Sequence, residues 1–326
     1  MISVFKVRNF RCLREVEVKL TQLHAFIGPN DSGKSTILSA IQMAAVALHG
    51  ANPPEGTYFV LEGPSGIYCF DRQHIWRHGA ASAQGPYANL VNTSPMVRSI
   101  AKQFDGMLKV SFDPAALRKE SQLIPQGKQV SFFDERGFGL PGIYQAILGR
   151  GDDAFGNIRD AVRKLFPTVK LLRVTPRTEN TLTLETELQD GTQVPPQFMS
   201  DGLLYYLAFA AIPFVTSVQV LVVEEPENGL HPARIRDVAG MLRKFSEDSG
   251  TQVLMATHSP LVINELKPEE VTVVTRDPER GTQVTPIENT PNFERRAKTA
   301  ALGELWLSYA DGVQETPLLA GRSAAS

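Results

Sequence analysis

"LHAFIGPNDSGKSTILSAIQMAAVAL", Leu23 to Leu48, changes period twice within one short stretch. An apolar run ends at Ile27, a cluster of Gly, Pro, Asn, Asp and Ser follows, and apolar residues then recur at helical spacing. The pattern predicts a buried strand, a tight loop and a helix. Inside it, "GPNDSGKS" (Gly28 to Ser35) fits G-x-x-x-x-G-K-[ST], in the strand–loop–helix setting that this spacing requires. Glycine lets the backbone curl until successive N–H groups face an anion, and the start of the helix adds positive potential. Lys34 supplies a mobile cation for the outer phosphates of a nucleotide such as ATP, and Ser35 a hydroxyl for Mg²⁺. Asn30, Gly33 and Thr36 complete the expected binding set.

A phosphate loop calls for an acidic partner, and "LVVEEPENGLHP" (Leu221 to Pro232) provides one. Two glutamates stand at the tip of an uncharged apolar run. Glu224 suits a metal role, steadying the magnesium through water, and Glu225 suits a general base that polarises an attacking water. Adjacent acids also cap helices, and Glu227 fits that lesser role. Two more segments complete an ordered set. "FMSDGLLYYLAF" puts Ser200, Asp201 and Gly202 directly before a helix, and "VLMATHSPLVI" puts His258 at the end of an apolar strand. Each is weak alone, since Ser-Asp-Gly is commonly a plain N-cap and a strand-end histidine is commonly structural.

Taken in order, these segments resemble the ABC-type ATPase heads of the RecF/SMC/OLD-like branch, in particular compact bacterial ATPases of the AAA_21 kind. The resemblance rests on "FKVRNFRCLREVEV", "FIGPNDSGKST", "MSDGLLYYLAFAAI", "LVVEEPENGLHP" and "ATHSPLVI", with "LGELWLSYADG" also similar. It implies an α/β fold: a P-loop NTPase whose ABC-like head, a mixed sheet flanked by helices, carries an inserted α+β lobe. It further implies that Ser200, Asp201 and Gly202 form a signature loop contacting the γ-phosphate held by a second protomer. His258 would sense that phosphate, Asn228 to Leu230 would line the dimer interface, and Arg11 would lie near the nucleotide. Asp201 stands where transporter signatures have glycine, and Glu224 where most relatives have aspartate. For the glutamine that reaches the metal in such heads, Gln73 is the first candidate, with Gln42 and Gln84 competing.

Composition bounds the alternatives. The chain has 326 residues, 42% of them hydrophobic, and a net charge of −2, so bulk charge does not announce a nucleic-acid partner. Cys12 and Cys69 are its only cysteines, which fits a reducing, cytoplasmic setting. Cys69, His74 and His78 make an incomplete zinc set. The uncharged run Leu203 to Val223 is long enough to span a bilayer. Pro213, Thr216, Ser217 and Gln219 interrupt it, and a buried helix followed by a buried strand accounts for both halves without a membrane.

The expected organisation is an N-terminal half of the ATPase core (residues 1–48, two strands, the loop and its helix), an inserted lobe with loops (49–197), a C-terminal half (198–310) and a tail (311–326). Residues 50–85, rich in Gly, Pro, Ala and Ser, read as an irregular insertion. "NIRDAVRKLF" predicts a helix, "VKLLRV" a strand, and "TLTLETELQDGTQV" a hairpin turning at Asp-Gly. There is no long heptad run and little chain after "ELWLSYADG", so neither an SMC-type arm nor an appended OLD-type nuclease is expected. These features favour an ATP-hydrolysing switch, homodimeric through composite ATP sites, with a protein effector as partner and DNA as a further candidate. Its setting would be DNA repair or anti-phage defence. A transporter's energy subunit and a small-molecule kinase are the competing classes.

Overall fold

The computed structural model describes residues 1–49, 51–63, 66–71, 74–77, 83–84, 101–102 and 104–310. It divides into two compact units. One comprises Met1–Met107, Gln219–Pro226 and Ser246–Ser326, and the other Leu108–Val218 and Glu227–Phe245.

The first unit is built on two sheets. The strands β1 (Val4–Phe10), β2 (Leu13–Lys19), β4 (Tyr58–Gly63), β5 (Gly66–Phe70), β6 (His74–Arg77) and β7 (Ala83–Gln84) form an antiparallel sheet in the order β2-β1-β4-β5-β6-β7. Their burial alternates as expected for a sheet with one covered face. Phe5, Val7, Val16, Val18, Phe59, Leu61 and Phe70 point into the core. The second sheet holds β3 (Leu23–Ile27), β13 (Val220–Glu224), β14 (Gln252–Thr257), β15 (Val271–Asp277) and β16 (Gly281–Pro286). Its order is β16-β15-β3-β14-β13; β8 (Met107–Val110) begins at the last residue of the Met1–Met107 segment of the unit and runs on into the second unit. β15, β3, β14 and β13 run parallel, and all of β3 and β14 is buried, so their sequences are mostly apolar rather than alternating, with His24, Gln252 and Thr257 as buried polar residues.

Helix α1 (Lys34–Leu48) joins one core with residues from both sheets through Ile37, Leu38, Ile41, Ala44 and Leu48. Each buried Ile or Leu contributes about 1.5–3 kcal/mol over leaving it in water. The alanines keep the helix slim where it meets the strands.

Two expectations are corrected here. Residues 1–48 hold three strands, because the chain turns at Arg11, with φ of 53°, and returns as β2. Residues 50–85 are not an irregular insertion in their described part, since Tyr58–Gly63 and Gly66–Phe70 extend the first sheet. Aromatic packing outweighs the loop-like composition. The Phe59 and Phe70 rings stack at 5.2 Å, and Phe59 lies 6.2 Å from both Phe5 and Phe10.

In the second unit, β10 (Val169–Pro176) and β11 (Thr181–Leu188) pair antiparallel. β11 also meets β12 (Gln193–Val194), across the predicted Asp190-Gly191 turn, and β9 (Ser121–Gln122). The predicted helix spans Ala154–Leu165 and stops before Pro167. The helix Asp201–Ala211 is buried from Leu203 onward, which explains its lack of charge. Within the uncharged run, that helix and a 3₁₀ turn at Ile212–Phe214 account for the first part; in the first unit β13 accounts for the end. No helix among the described residues is long and apolar enough to cross a membrane.

Candidate functional site

β3 delivers the chain to Gly28, and the loop curls through positive φ at Asp31 (63°) and Gly33 (110°) before α1 starts at Lys34. A side chain at Gly28 would place Cβ 2.1 Å from the carbonyl oxygen of Val274, so only glycine fits against β15. At Gly33 a Cβ would come within 2.4 Å of Thr282 Oγ1. Thr282 is itself part of the support, donating through Oγ1 to the carbonyl of Ser32 at 3.0 Å. Lys34 is buried at 8% exposure, and its ammonium donates to the carbonyls of Gly28 (2.8 Å) and Pro29 (2.7 Å). The cation is thus held over the loop. Ser32 Oγ is buried and makes no hydrogen bond among the described residues.

These features fit a phosphate group. The loop offers the N–H groups that open a helix, a desolvated cation and an orphaned hydroxyl, in a cradle that a Cβ would fill. Ser35 and Thr36 open the helix, with Ser35 exposed, and Asn30 is exposed in the loop.

The acidic pair arrives on the same sheet. Glu224 is half-buried at the end of β13 and in register with Ala256 of β14, which in turn is in register with Phe26 of β3. Glu225 lies one residue beyond, at a φ of 49° that glutamate adopts only under constraint, and its N–H donates to the Ala256 carbonyl at 2.8 Å. That bond turns its side chain outward. His258 follows the last residue of β14, with Nδ1 3.7 Å from Glu225 Oε1 and both side chains about half exposed. The sheet therefore brings together a phosphate loop, a carboxylate pair and an imidazole at the C-terminal ends of adjacent parallel strands, where ligands of open α/β sheets bind.

Arg11 is exposed in the β1–β2 turn, its guanidinium 5.4 Å from the Phe10 ring centroid. The next residue, Cys12, accepts through its carbonyl from the Thr282 N–H at 3.3 Å. Thr282 thus touches both the Arg11 turn and the phosphate loop. Gln73 and His78 lie outside the described residues, Gln42 is on α1, and Cys69 is buried in β5. Among the described residues, no three His, Cys, Asp or Glu side chains group as a metal site by themselves.

Ser200, Asp201 and Gly202 belong to the second unit. Ser200 caps the helix, its hydroxyl accepting from the Leu203 N–H at 3.4 Å, so part of its role is the plain structural one. The loop before it is held by Arg118, whose guanidinium donates to the carbonyls of Pro196 (3.1 Å) and Met199 (2.9 Å) and pairs with the Asp201 carboxylate. On the other side, a Cβ at Gly202 would be 3.7 Å from the Gly229 carbonyl. Gly229, at φ 67°, lies so close to the Tyr205 ring that no Cβ fits. The Ser200–Gly202 and Asn228–Leu230 loops pack against each other. Sequence reasoning did not find Arg118, Thr282 or Tyr205, because their partners are distant in the chain and no local pattern marks them.

Comparison with known proteins gives the same architecture. The family described as "AAA domain, putative AbiEii toxin, Type IV TA system" matches residues 111–264, and the family described as "AAA ATPase domain" matches residues 1–46. The "OLD nuclease" of Thermus scotoductus is 22% identical over 340 residues, covering 85% of this chain. The chain spans 62% of that relative's length. The SMC head bound to the C-winged helix domain of ScpA superposes with a TM-score of 0.57 at 16% identity, covering 87% of this chain and 96% of that one. The chain has the fold of these heads and is similar to ABC-type ATPase heads of the RecF/SMC/OLD branch. A further SMC head, with an extended coiled coil and bound to a ScpA domain from Pyrococcus furiosus, gives 0.56 at 12% identity. It covers 91% of this chain and 98% of that one. Within the head, the phosphate loop falls in the first matched segment, and Ser200–Gly202, Glu224, Glu225 and His258 fall in the second.

Proposed function

We propose that this head binds ATP and hydrolyses it to ADP and phosphate as a head-to-head homodimer, and that the cycle switches a partner effector. The observation that carries the reading is the Glu225–His258 pair beside a phosphate loop that excludes side chains at Gly28 and Gly33. Lys34 and the first-turn amides of α1 bind the outer phosphates. Ser35 and Glu224 would hold Mg²⁺, which supplies neutralisation of charge building on the phosphate oxygens. Glu225 accepts a proton from water while the water oxygen bonds to the γ-phosphorus, and the bond to the bridging oxygen of ADP breaks. His258 donates a hydrogen bond to a γ-phosphate oxygen and holds Glu225 in place. Ser200, Asp201 and Gly202 act on the nucleotide of a second protomer, which makes dimerisation part of catalysis. Arg11 lies near the nucleotide, and Gln73 is the candidate for reaching the metal.

The biological setting is proposed from the relatives. A toxin–antitoxin description and a nuclease relative support anti-phage defence or DNA maintenance in the cytoplasm, and heads that assemble with ScpA support a protein partner. DNA contact would fall to exposed cations such as Arg11, since Arg8 is already paired with Glu15.

Steady-state hydrolysis against protein concentration, for wild type and Glu225→Gln, tests the proposal. Specific activity should rise with concentration, and Glu225→Gln should lose about a hundredfold or more and accumulate as an ATP-bound dimer. Activity that is independent of concentration in a persistent monomer, or untouched by Glu225→Gln, would overturn it.

A further inference from the structure

The turn that precedes Ser200 holds out an aromatic side chain that the proposed chemistry leaves unused. Phe198 is 80% exposed, more than any other large hydrophobic residue among those described. Its neighbours fix it there. Pro195 and Pro196 open the 3₁₀ turn Pro196–Phe198, which the Phe198 N–H closes onto the Pro195 carbonyl at 3.0 Å. Pro196 and Met199 are both buried, and the Arg118 guanidinium holds both of their carbonyls. With the chain anchored on either side of Phe198, the backbone cannot turn its side chain inward. The exposure is built into the fold.

The ring stands beside the loop that the composite site needs. Met199 and Ser200 are extended, with ψ of 141° and 144°, and extended chain sends alternate side chains to opposite faces. Met199 points into the protein, so Phe198 and Ser200 share the outward face, and both are exposed. At about 3.3 Å per extended residue, their Cα atoms are about 7 Å apart. A surface that comes within hydrogen-bonding distance of Ser200 therefore also meets the phenyl ring. It must either bury that ring or be kept away by it. Charge does not oppose the approach, because the Asp201 carboxylate is paired with Arg118. A large aromatic on a rigid mount is the kind of residue that anchors protein interfaces.

We propose that Phe198 anchors the head-to-head dimer, its ring buried against a second copy of this chain when Ser200 reaches that copy's nucleotide. The inference rests on the composite-site reading given above. That reading also selects the occupant, since an effector seated on Phe198 would cover Ser200 and exclude the second protomer from the hydrolysing state. Two-fold symmetry makes the contact count twice, because each interface buries one Phe198 from either protomer. Burying a phenylalanine is worth about tenfold or more in an equilibrium constant, so removing both rings weakens the dimer at least about a hundredfold. The separate protomer, in which the ring is already in water, is unaffected.

The test adds Phe198→Ala to the Glu225→Gln protein, in Mg²⁺ and ATP. Sedimentation velocity over a range of protein concentrations gives the dimer dissociation constant, and equilibrium dialysis at concentrations where the protein is monomeric gives ATP affinity. Phe198→Ala should raise the dimer dissociation constant at least about a hundredfold and leave protomer ATP affinity within about twofold. Urea unfolding of the nucleotide-free protein should not change. With Glu225 intact, hydrolysis by Phe198→Ala should vanish at low protein concentration and return at high concentration with kcat within about twofold, which a role in the chemical step would not permit. Phe198→Leu, which stays apolar, should keep the dimer within about tenfold of wild type. An ATP-bound dimer of unchanged affinity in Phe198→Ala would overturn this inference alone and leave the ring to a different partner. Destabilisation of the nucleotide-free protein by Phe198→Ala would make the ring structural and overturn it as well. A Glu225→Gln protein that binds ATP yet stays monomeric at every concentration would overturn the head-to-head reading itself, and this inference with it.

Discussion

Acid should weaken the first unit through one buried histidine on the strand that delivers the phosphate loop. His24 is 1% exposed in β3, between Thr21 Oγ1 (3.1 Å from Nδ1) and Thr272 Oγ1 (3.0 Å from Nε2), with the Phe26 ring 5.1 Å away. Burial without an acidic partner pulls its pKa down from 6.5 to about 3. The folded unit therefore keeps His24 neutral in a range where the unfolded chain takes up a proton. Stability is unaffected above pH 6.5 and falls as pH drops through the window down to about 3, by about 1.4 kcal/mol per pH unit. Between pH 7 and pH 5 the loss is about 2 kcal/mol, a sizeable fraction of the roughly 5–15 kcal/mol that holds a typical domain together. Both tryptophans belong to the same unit as His24, so urea unfolding followed by their fluorescence reports on it. His24→Gln removes the titration and retains a polar side chain. Measured nucleotide-free, the stability difference between wild type and His24→Gln should shift by about 2 kcal/mol between pH 7 and pH 5, with wild type losing ground. A difference that stays constant within about 0.5 kcal/mol would refute the argument, because other titrating groups are common to both proteins.

Gly28→Ala forces a Cβ to within 2.1 Å of the Val274 carbonyl oxygen, so the loop or β15 must move. Nucleotide binding, read by equilibrium dialysis, should weaken at least about tenfold, and an unchanged affinity would show that the loop geometry is not what binds. Arg118→Ala frees two carbonyls and removes the cation paired with the Asp201 carboxylate at the helix start. Hydrolysis should fall about tenfold while single-protomer nucleotide affinity stays within twofold, and adding Asp201→Asn should restore part of the rate.

How much of this was legible depends on the range of the interaction. The phosphate loop, the acidic strand tip and the strand-end histidine are each coded by a few neighbouring residues, because uninterrupted apolar runs such as Val220–Val223 and Val253–Ala256 announce fully buried strands and the polar residues at their tips then stand out. The Asp190-Gly191 hairpin and the stop at Pro167 were equally local. β4 and β5 were obscured because Gly, Pro and Ser surround them, and what makes them strands is the pairing of Phe59 and Phe70 with Phe5 across the sheet. No window along the sequence contains that contact. The same holds for Thr282, which supports a loop 250 residues earlier in the chain.

Asp201 shows what such long-range contacts add. Read locally, an acid at the first position of a helix competes for the positive potential that an incoming phosphate would use, and so argues against an anion site. Arg118 reverses the sign of that argument. Its guanidinium offsets the carboxylate and, by holding the Pro196 and Met199 carbonyls, turns them from the helix start towards itself. The charge of the loop is then offset and its backbone fixed. A glycine in place of Asp201 would leave Arg118 with one partner fewer and the loop less fixed. The departure from the transporter signature and the arginine eighty-three positions away are thus one feature, and a variant of either residue alone should be worse than the pair changed together.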